Sequence, residues 1–387
     1  MKEIYFDNSA TTKMSDGALE KMEEVIRLHY GNPSSLHAVG LDSYNILEGA
    51  RRTILETIGI LRGTSSELVF TSGGTESNNL AIFGTVYAKK RSGNEKVLIT
   101  AGEHSCVENC ASYLEKQGLT VLRVPTKGGV LDIDFINENA QNVILASFMH
   151  VNNETGALYN ISEAFSVVKE KSPNAIMHSD CVQSYMKVKL TPKSLGADLI
   201  SISSHKINGA RGVGALYISP DIIKSKKIVP VTLGGGQENG FRSGTENTPG
   251  IAAFAQAAKE HRLSFDSDTK KMSELRDYIT AGLLSIDGVN VVLPPVRAPH
   301  IINFVSGGVR SETMLHFLSS KGICVSSGSA CSSHSNKVSR ALEAFGLKRD
   351  EADSAIRVSI CPSNTKDEAD ALISSVRAGI AQLAKKR

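Results

Sequence analysis

The chain has 387 residues, 41% hydrophobic and 21% charged, with a formal net charge of +3 and no tryptophan. So small and evenly spread a charge argues against nucleic-acid and membrane-surface partners, and the missing tryptophan argues against a base-stacking platform. No stretch reaches the ~20 apolar residues of a membrane span and the start "MKEIYFDNSATT" lacks a signal-peptide run, so a cytoplasmic protein, of two domains at this length, is expected.

Between about residues 65 and 220, β-like runs alternate with helical ones. "ELVFTS" leads into the helical pattern "ESNNLAIFGTVYAKK"; then come "KVLIT", "LTVLRVP", "NVILASFMH", "NAIMHSD", "DLISISS" and "GVGALYIS". Several are nearly continuous apolar runs, as parallel strands buried on both faces require. The pattern predicts an α/β fold around a doubly wound or mixed, mostly parallel sheet, with ligand groups at the carboxyl ends of its strands. A glycine-rich stretch, 231–250, precedes a long helical pattern around "IAAFAQAAKEHRLSF". The remainder mixes helices with short strands such as "NVVL" and "INFV" and reads as a smaller α/β domain.

The strand ends carry the candidate chemistry. Gly73-Gly74-Thr75, between a strand and a helix, reads as an anion cradle or as an ordinary turn. His104 follows "KVLIT", Asn152 and Asn153 follow "ILASFMH", Asp180 with Gln183 follows "NAIMH", and Ser203, His205 and Lys206 close "LISIS". Each alone has a structural reading as a cap or turn residue. Together on one sheet edge they match what pyridoxal phosphate needs: a lysine for the Schiff base, an acid at the pyridine nitrogen, and donors for the phosphate and ring hydroxyl. Lys206 is then a buried imine former of lowered pKa, and Gly209, Gly212 and Gly214 allow close backbone approach. The six cysteines, Cys106, Cys110, Cys181, Cys324, Cys331 and Cys361, show neither a CxxC pair nor zinc spacing, so thiols and no resident metal are expected.

At this point the residues resemble a known family, the cysteine desulfurases of the NifS/IscS type within the class-V aminotransferase group. "YFDNSATT", "GNPSSLHAVG", "FTSGGTESNNLAI", "GEHSCV", "MHVNNETG", "HSDCVQS", "SSHKINGARGVGALYI", "GGGQENGFRSGTEN", "SSGSACSS" and "AIRVSI" carry the resemblance almost end to end. It implies the aspartate aminotransferase-like fold (fold type I). A large cofactor domain would span 12–260, and a small one 1–11 and 261–387, with a catalytic cysteine loop at about 324–338. It implies that Lys206 holds the cofactor, His104 stacks on its ring, Asp180 faces the pyridine nitrogen and Gln183 the ring oxygen. Gly74, Thr75, Ser203 and His205 would bind the phosphate, and Thr245 would reach the phosphate of a neighbouring subunit in a homodimer. Asn8 and Asn153 would line the substrate pocket, and Arg357 would clamp the substrate carboxylate, for which its fork is suited.

The resemblance also implies the reaction. L-cysteine gives up its sulfur to Cys331, leaving alanine and a persulfide. An acceptor then takes the sulfur: an iron–sulfur scaffold, with which Cys331 is also a candidate to share a transient cluster, or a thiolation enzyme. Selenocysteine lyase and small-amino-acid aminotransferase are the alternatives, separated by whether Cys331 is needed. Three features depart from the family pattern: a short loop after Cys331, Cys361-Pro362 at a turn, and thiols at Cys106 and Cys181. Cys181 reads as core packing, Cys106 as an outside candidate for a second thiol near the pocket.

Overall fold

The computed structural model describes residues 3–89, 93–327 and 339–383, so the expected nucleophile Cys331 lies outside the described residues. The chain opens with a two-residue strand, β1 (Ile4–Tyr5). The seven runs read as strands all form them: β2 (Leu68–Thr71), β3 (Lys96–Thr100), β4 (Thr120–Val124), β5 (Val143–Met149), β6 (Ile176–Asp180), β7 (Leu199–Ser203) and β8 (Gly214–Ile218). They make one sheet in the order β2-β8-β7-β6-β5-β3-β4. Five strands, β7 to β4, run parallel; β8 is antiparallel to both its neighbours. Every residue of β5 to β8 is buried, which is why these runs lack polar alternation. Two apolar layers cover the faces, one around Phe148, Phe165, Tyr185 and Phe254, the other around Leu80, Ile82, Val97 and Leu114.

The C-terminal part adds β9 (Val289–Val292), β10 (Ile301–Ser306), β11 (Ile323–Cys324), β12 (Ser326–Ser327) and β13 (Ala355–Ser359). β12-β13-β10-β9 form an antiparallel sheet, with its own apolar cluster around Phe304, Met314, Ile356 and Leu372. β1 pairs with β11 in parallel and Asp7 bridges Ser359, so the first residues of the chain sit among the last. A single helix, Thr248–Leu284, links the two sheets; its 37 residues run ~55 Å. Helices Asp16–Leu28 and Ala38–Thr57 pack along it. No described helix is long and apolar enough to cross a membrane.

The glycine-rich stretch read as a separator is pinned instead. Glu238 lies in a short turn there, and its carboxylate accepts from Arg51 Nη1 at 2.7 Å, Arg51 Nη2 at 2.9 Å and the Phe70 amide at 2.7 Å. Arg242 Nε donates to Glu76 at 2.8 Å. These ties hold the stretch against β2 and the helix that follows it.

Candidate active site

The carboxyl ends of β3, β5, β6 and β7 open into one cavity of about 370 Å³, the size of a small-molecule site. Asp180 ends β6 and Lys206 lies three residues past the end of the adjacent parallel strand β7; both line the cavity. Lys206 is half-buried, not buried as expected, because its amine must reach the opening; it donates to the carbonyls of Ser9 at 2.5 Å and Ala10 at 2.8 Å. The N-terminal segment thus positions the amine.

Beside the end of β7, Gly73 and Gly74 begin the helix Gly74–Tyr87, with no side-chain cap on its free amides. Gly74, Thr75, Ser203 and His205 all line the cavity here. A Cβ on Gly74 would come within 2.6 Å of Val182, and one on Gly214, at the start of β8, within 2.6 Å of the Gly73 carbonyl carbon. Glycine at both places lets the cradle and the strand close on each other. The Ser203 hydroxyl is buried without a partner. Burial, with Lys206 and Arg211 nearby, holds His205 down at about 4, so it is neutral at pH 7.

His104 caps the helix Ser105–Lys116: its Nδ1 accepts from the Cys106 amide at 3.3 Å. Burial lowers its pKa, Asp180 opposing and Lys206 adding to the effect. Asp180 accepts from Asn78 Nδ2 at 2.7 Å and from the Val182 amide at 2.9 Å. Gln183 lines the cavity too, with Nε2 donating to the Ser9 carbonyl at 3.0 Å. Arg357, on β13, donates from Nη1 to the Asn153 carbonyl at 2.9 Å and from Nη2 to Asp7 at 2.8 Å; its Nε is buried without a partner.

Ten of the expected residues therefore share the cavity: Lys206, Asp180, His104, Gln183, Gly74, Thr75, Ser203, His205, Asn153 and Arg357. Two do not. Asn8 is buried beside it, its amide donating to the Ser359 carbonyl at 3.0 Å, and Thr245 is exposed on the loop before Thr248–Leu284. Sequence reasoning passed over Asp7, Asn78, Glu103 and Glu154. Glu103 is fully buried next to His104, accepts from Thr100 Oγ1 at 2.6 Å and the Met149 amide at 2.7 Å, and is pushed by burial up to about 8. Glu154 lines the cavity and accepts from Ser339 Oγ at 2.6 Å. Ser327, also in the lining, and Ser339 flank residues 328–338, so both ends of the segment bearing Cys331 meet the site.

The chain that carries this amine, acid, anion cradle and arginine is similar to known proteins. The family model described as Aminotransferase class-V matches residues 4–372. The chain belongs to the class-V aminotransferase family. Among its relatives, "Cysteine desulfurase IscS 1" of Archaeoglobus fulgidus is 36% identical over 372 residues, spanning 95% of this chain and 94% of that protein. A solved NifS-like protein superimposes with a TM-score of 0.91 at 31% identity, over 99% of this chain and 100% of that one. The structure described as SspA in complex with cysteine gives a TM-score of 0.81 at 29% identity, over 94% and 100%. A class-V aminotransferase fold accounts for the order of the seven-stranded sheet and for a site built from strand ends plus β13.

Proposed function

We propose that the chain is a cysteine desulfurase using pyridoxal phosphate, moving sulfur from L-cysteine to Cys331. The observation that carries the reading is that the Lys206 amine and the Asp180 carboxylate, from adjacent strands, share a cavity with an uncapped glycine cradle and the Arg357 guanidinium. The residues present fit the cofactor: the unpartnered Ser203 hydroxyl and the open amides at Gly74 and Thr75 suit a phosphate, and Asp180 suits a protonated ring nitrogen. Bound there, pyridoxal phosphate supplies an electron sink that acidifies the α-carbon of an amino acid.

The chain's own residues do the rest. Lys206 would hold the cofactor through its aldehyde and would carry the α-proton. Neutral His104 would lie against the ring and Gln183 would face the ring oxygen. Arg357 takes the substrate carboxylate with Asn153 beside it, and the guanidinium fork fixes the amino acid's orientation. Cys331 attacks the substrate sulfur: the S–S bond forms as the C–S bond breaks, giving L-alanine and a Cys331 persulfide. An acceptor protein then takes the outer sulfur. In sequence Cys331 follows Ser327 by four residues, and Ser327 lines the cavity.

Two copies of the chain pair, and Thr245 completes the phosphate set of the second copy. Support comes from large apolar side chains exposed within residues 28–44: Leu28, Tyr30, Leu36 and Leu41.

The test is mass measurement of the cofactor-loaded protein after L-cysteine. One added sulfur on the peptide bearing Cys331, and loss of alanine production in Cys331→Ala, are expected. Full alanine production by Cys331→Ala would assign the site to a lyase reaction instead, and a 2-oxo acid in place of alanine to an aminotransferase.

A further inference from the structure

Cys106 lines the cavity, and the reaction above leaves its thiol unused. Its Sγ lies 3.0 Å from His104 Nδ1 and 3.2 Å from Asn78 Nδ2. Asn78 Nδ2 also donates to Asp180 Oδ2, so each of its two hydrogens has an acceptor. The donor and acceptor roles are then forced. Asp180 accepts, so Asn78 turns its nitrogen toward Asp180 and Cys106, leaving its own Oδ1 buried and unpartnered. The Cys106 amide points at His104 Nδ1, so Nδ1 is a lone pair and the ring proton sits on Nε2. The sulfur, facing a lone pair on one side and an N–H on the other, must donate its hydrogen to His104 and accept from Asn78.

We propose that Cys106 is a positioning residue: its S–H adds a second donor to the His104 lone pair, holds the tilt of the ring and, through Asn78, ties that ring to Asp180. The assignment deepens the functional reading above, in which His104 and Asp180 hold two sides of one cofactor ring. Burial, with Asp180 adding to it, pushes the Cys106 thiol up to about 12, so the hydrogen stays on sulfur across the working pH range. The same protonation suits a donor and disfavours a nucleophile or second sulfur carrier, for which a thiolate is needed. The charged and titratable groups around the pair are Asp180, Lys206, Glu103 and Cys110.

The experiment is nitrogen-detected NMR of the histidine side chains in the cofactor-free protein, with His104 assigned by its loss in His104→Gln. Wild type is expected as the Nε2–H tautomer. In Cys106→Ala the donor to the neutral ring is gone, so His104 should titrate higher by about 0.7 of a pH unit, the size of one net hydrogen bond. Cys106→Ser, which can still donate, should restore the wild-type value. The backbone amide keeps the tautomer in Cys106→Ala, so an unmoved titration in that variant would overturn the proposal. So would a sulfur adduct on Cys106 after L-cysteine treatment of the loaded enzyme. Because the first readout needs no cofactor, it stands apart from failure of the desulfurase reading, which a protein unable to take up pyridoxal phosphate would show.

Discussion

At the scale of single residues, burial decides the protonation states more than charge partners do. His104 and His205 are held neutral chiefly by desolvation, and Glu103 is held protonated by it, with Asp180 contributing and the Thr100 and Met149 hydrogen bonds opposing. Glu103 has a sharp pH signature. Between about 4.5 and about 8 the folded chain keeps a proton that the unfolded chain has lost, so stability falls as pH rises through that window. Glu103→Gln removes the titration. Its stability relative to wild type should climb between pH 4.5 and 8, by on the order of a few kcal/mol, and stay level outside that range. Urea unfolding at a series of pH values measures it, and parallel curves would contradict the assignment. Lys206 and Asp180 were legible because each ends an apolar run. Asn78 was not, because it sits in the polar triplet Ser77-Asn78-Asn79, and only the packed helix shows that Asn78 is buried toward Asp180.

Among the elements, β8 settles the geometry of the anion cradle. It enters antiparallel between β2 and β7, and its first residue lies against Gly73. Gly214→Ala puts a methyl where the Gly73 backbone stands, so a loss of about 1–3 kcal/mol in unfolding free energy and weaker retention of pyridoxal phosphate are expected. Gly49→Ala is the control: it lies inside Ala38–Thr57 with open space around it, and it should gain up to ~1 kcal/mol. Equal effects at the two positions would remove the steric argument. The strands of the large sheet could be read because both faces are buried and the runs are long enough to show it. The two-residue strands β1, β11 and β12 could not: they carry no period, and their partners lie hundreds of residues away or across the small sheet. Glu238 escaped for a related reason, since a glycine-rich stretch gives no hint that a buried arginine waits for its carboxylate.

For the molecule as a whole, the segment 28–44 leaves several large apolar side chains exposed, Leu28, Tyr30, Leu36 and Leu41 among them, a surface suited to a protein contact. Sedimentation should give twice the mass of 41.4 kDa, and Tyr30→Asp with Leu36→Asp should shift the protein toward one chain. A wild-type monomer at micromolar concentration would sink the paired arrangement and the role proposed for Thr245 with it. The two-sheet plan followed from length and alternation, yet the expected break near residue 260 falls within the continuous helix Thr248–Leu284. Helical periodicity runs straight through that point, and nothing in composition marks it.

The closure of β1 on β11, with Asp7 against Ser359, fixes an order of events during synthesis. A ribosome that has released the chain only as far as residue 300 has delivered every strand of the large sheet. The opening residues still wait for a berth, because their neighbours have yet to be made. Until β11 and β13 are made, then, the bonds from Asp7 and Ser9 to Ser359 are missing, and the segment carrying the Ser9 and Ala10 carbonyls has only its ties to Gln183, His205 and Asn208 to hold it.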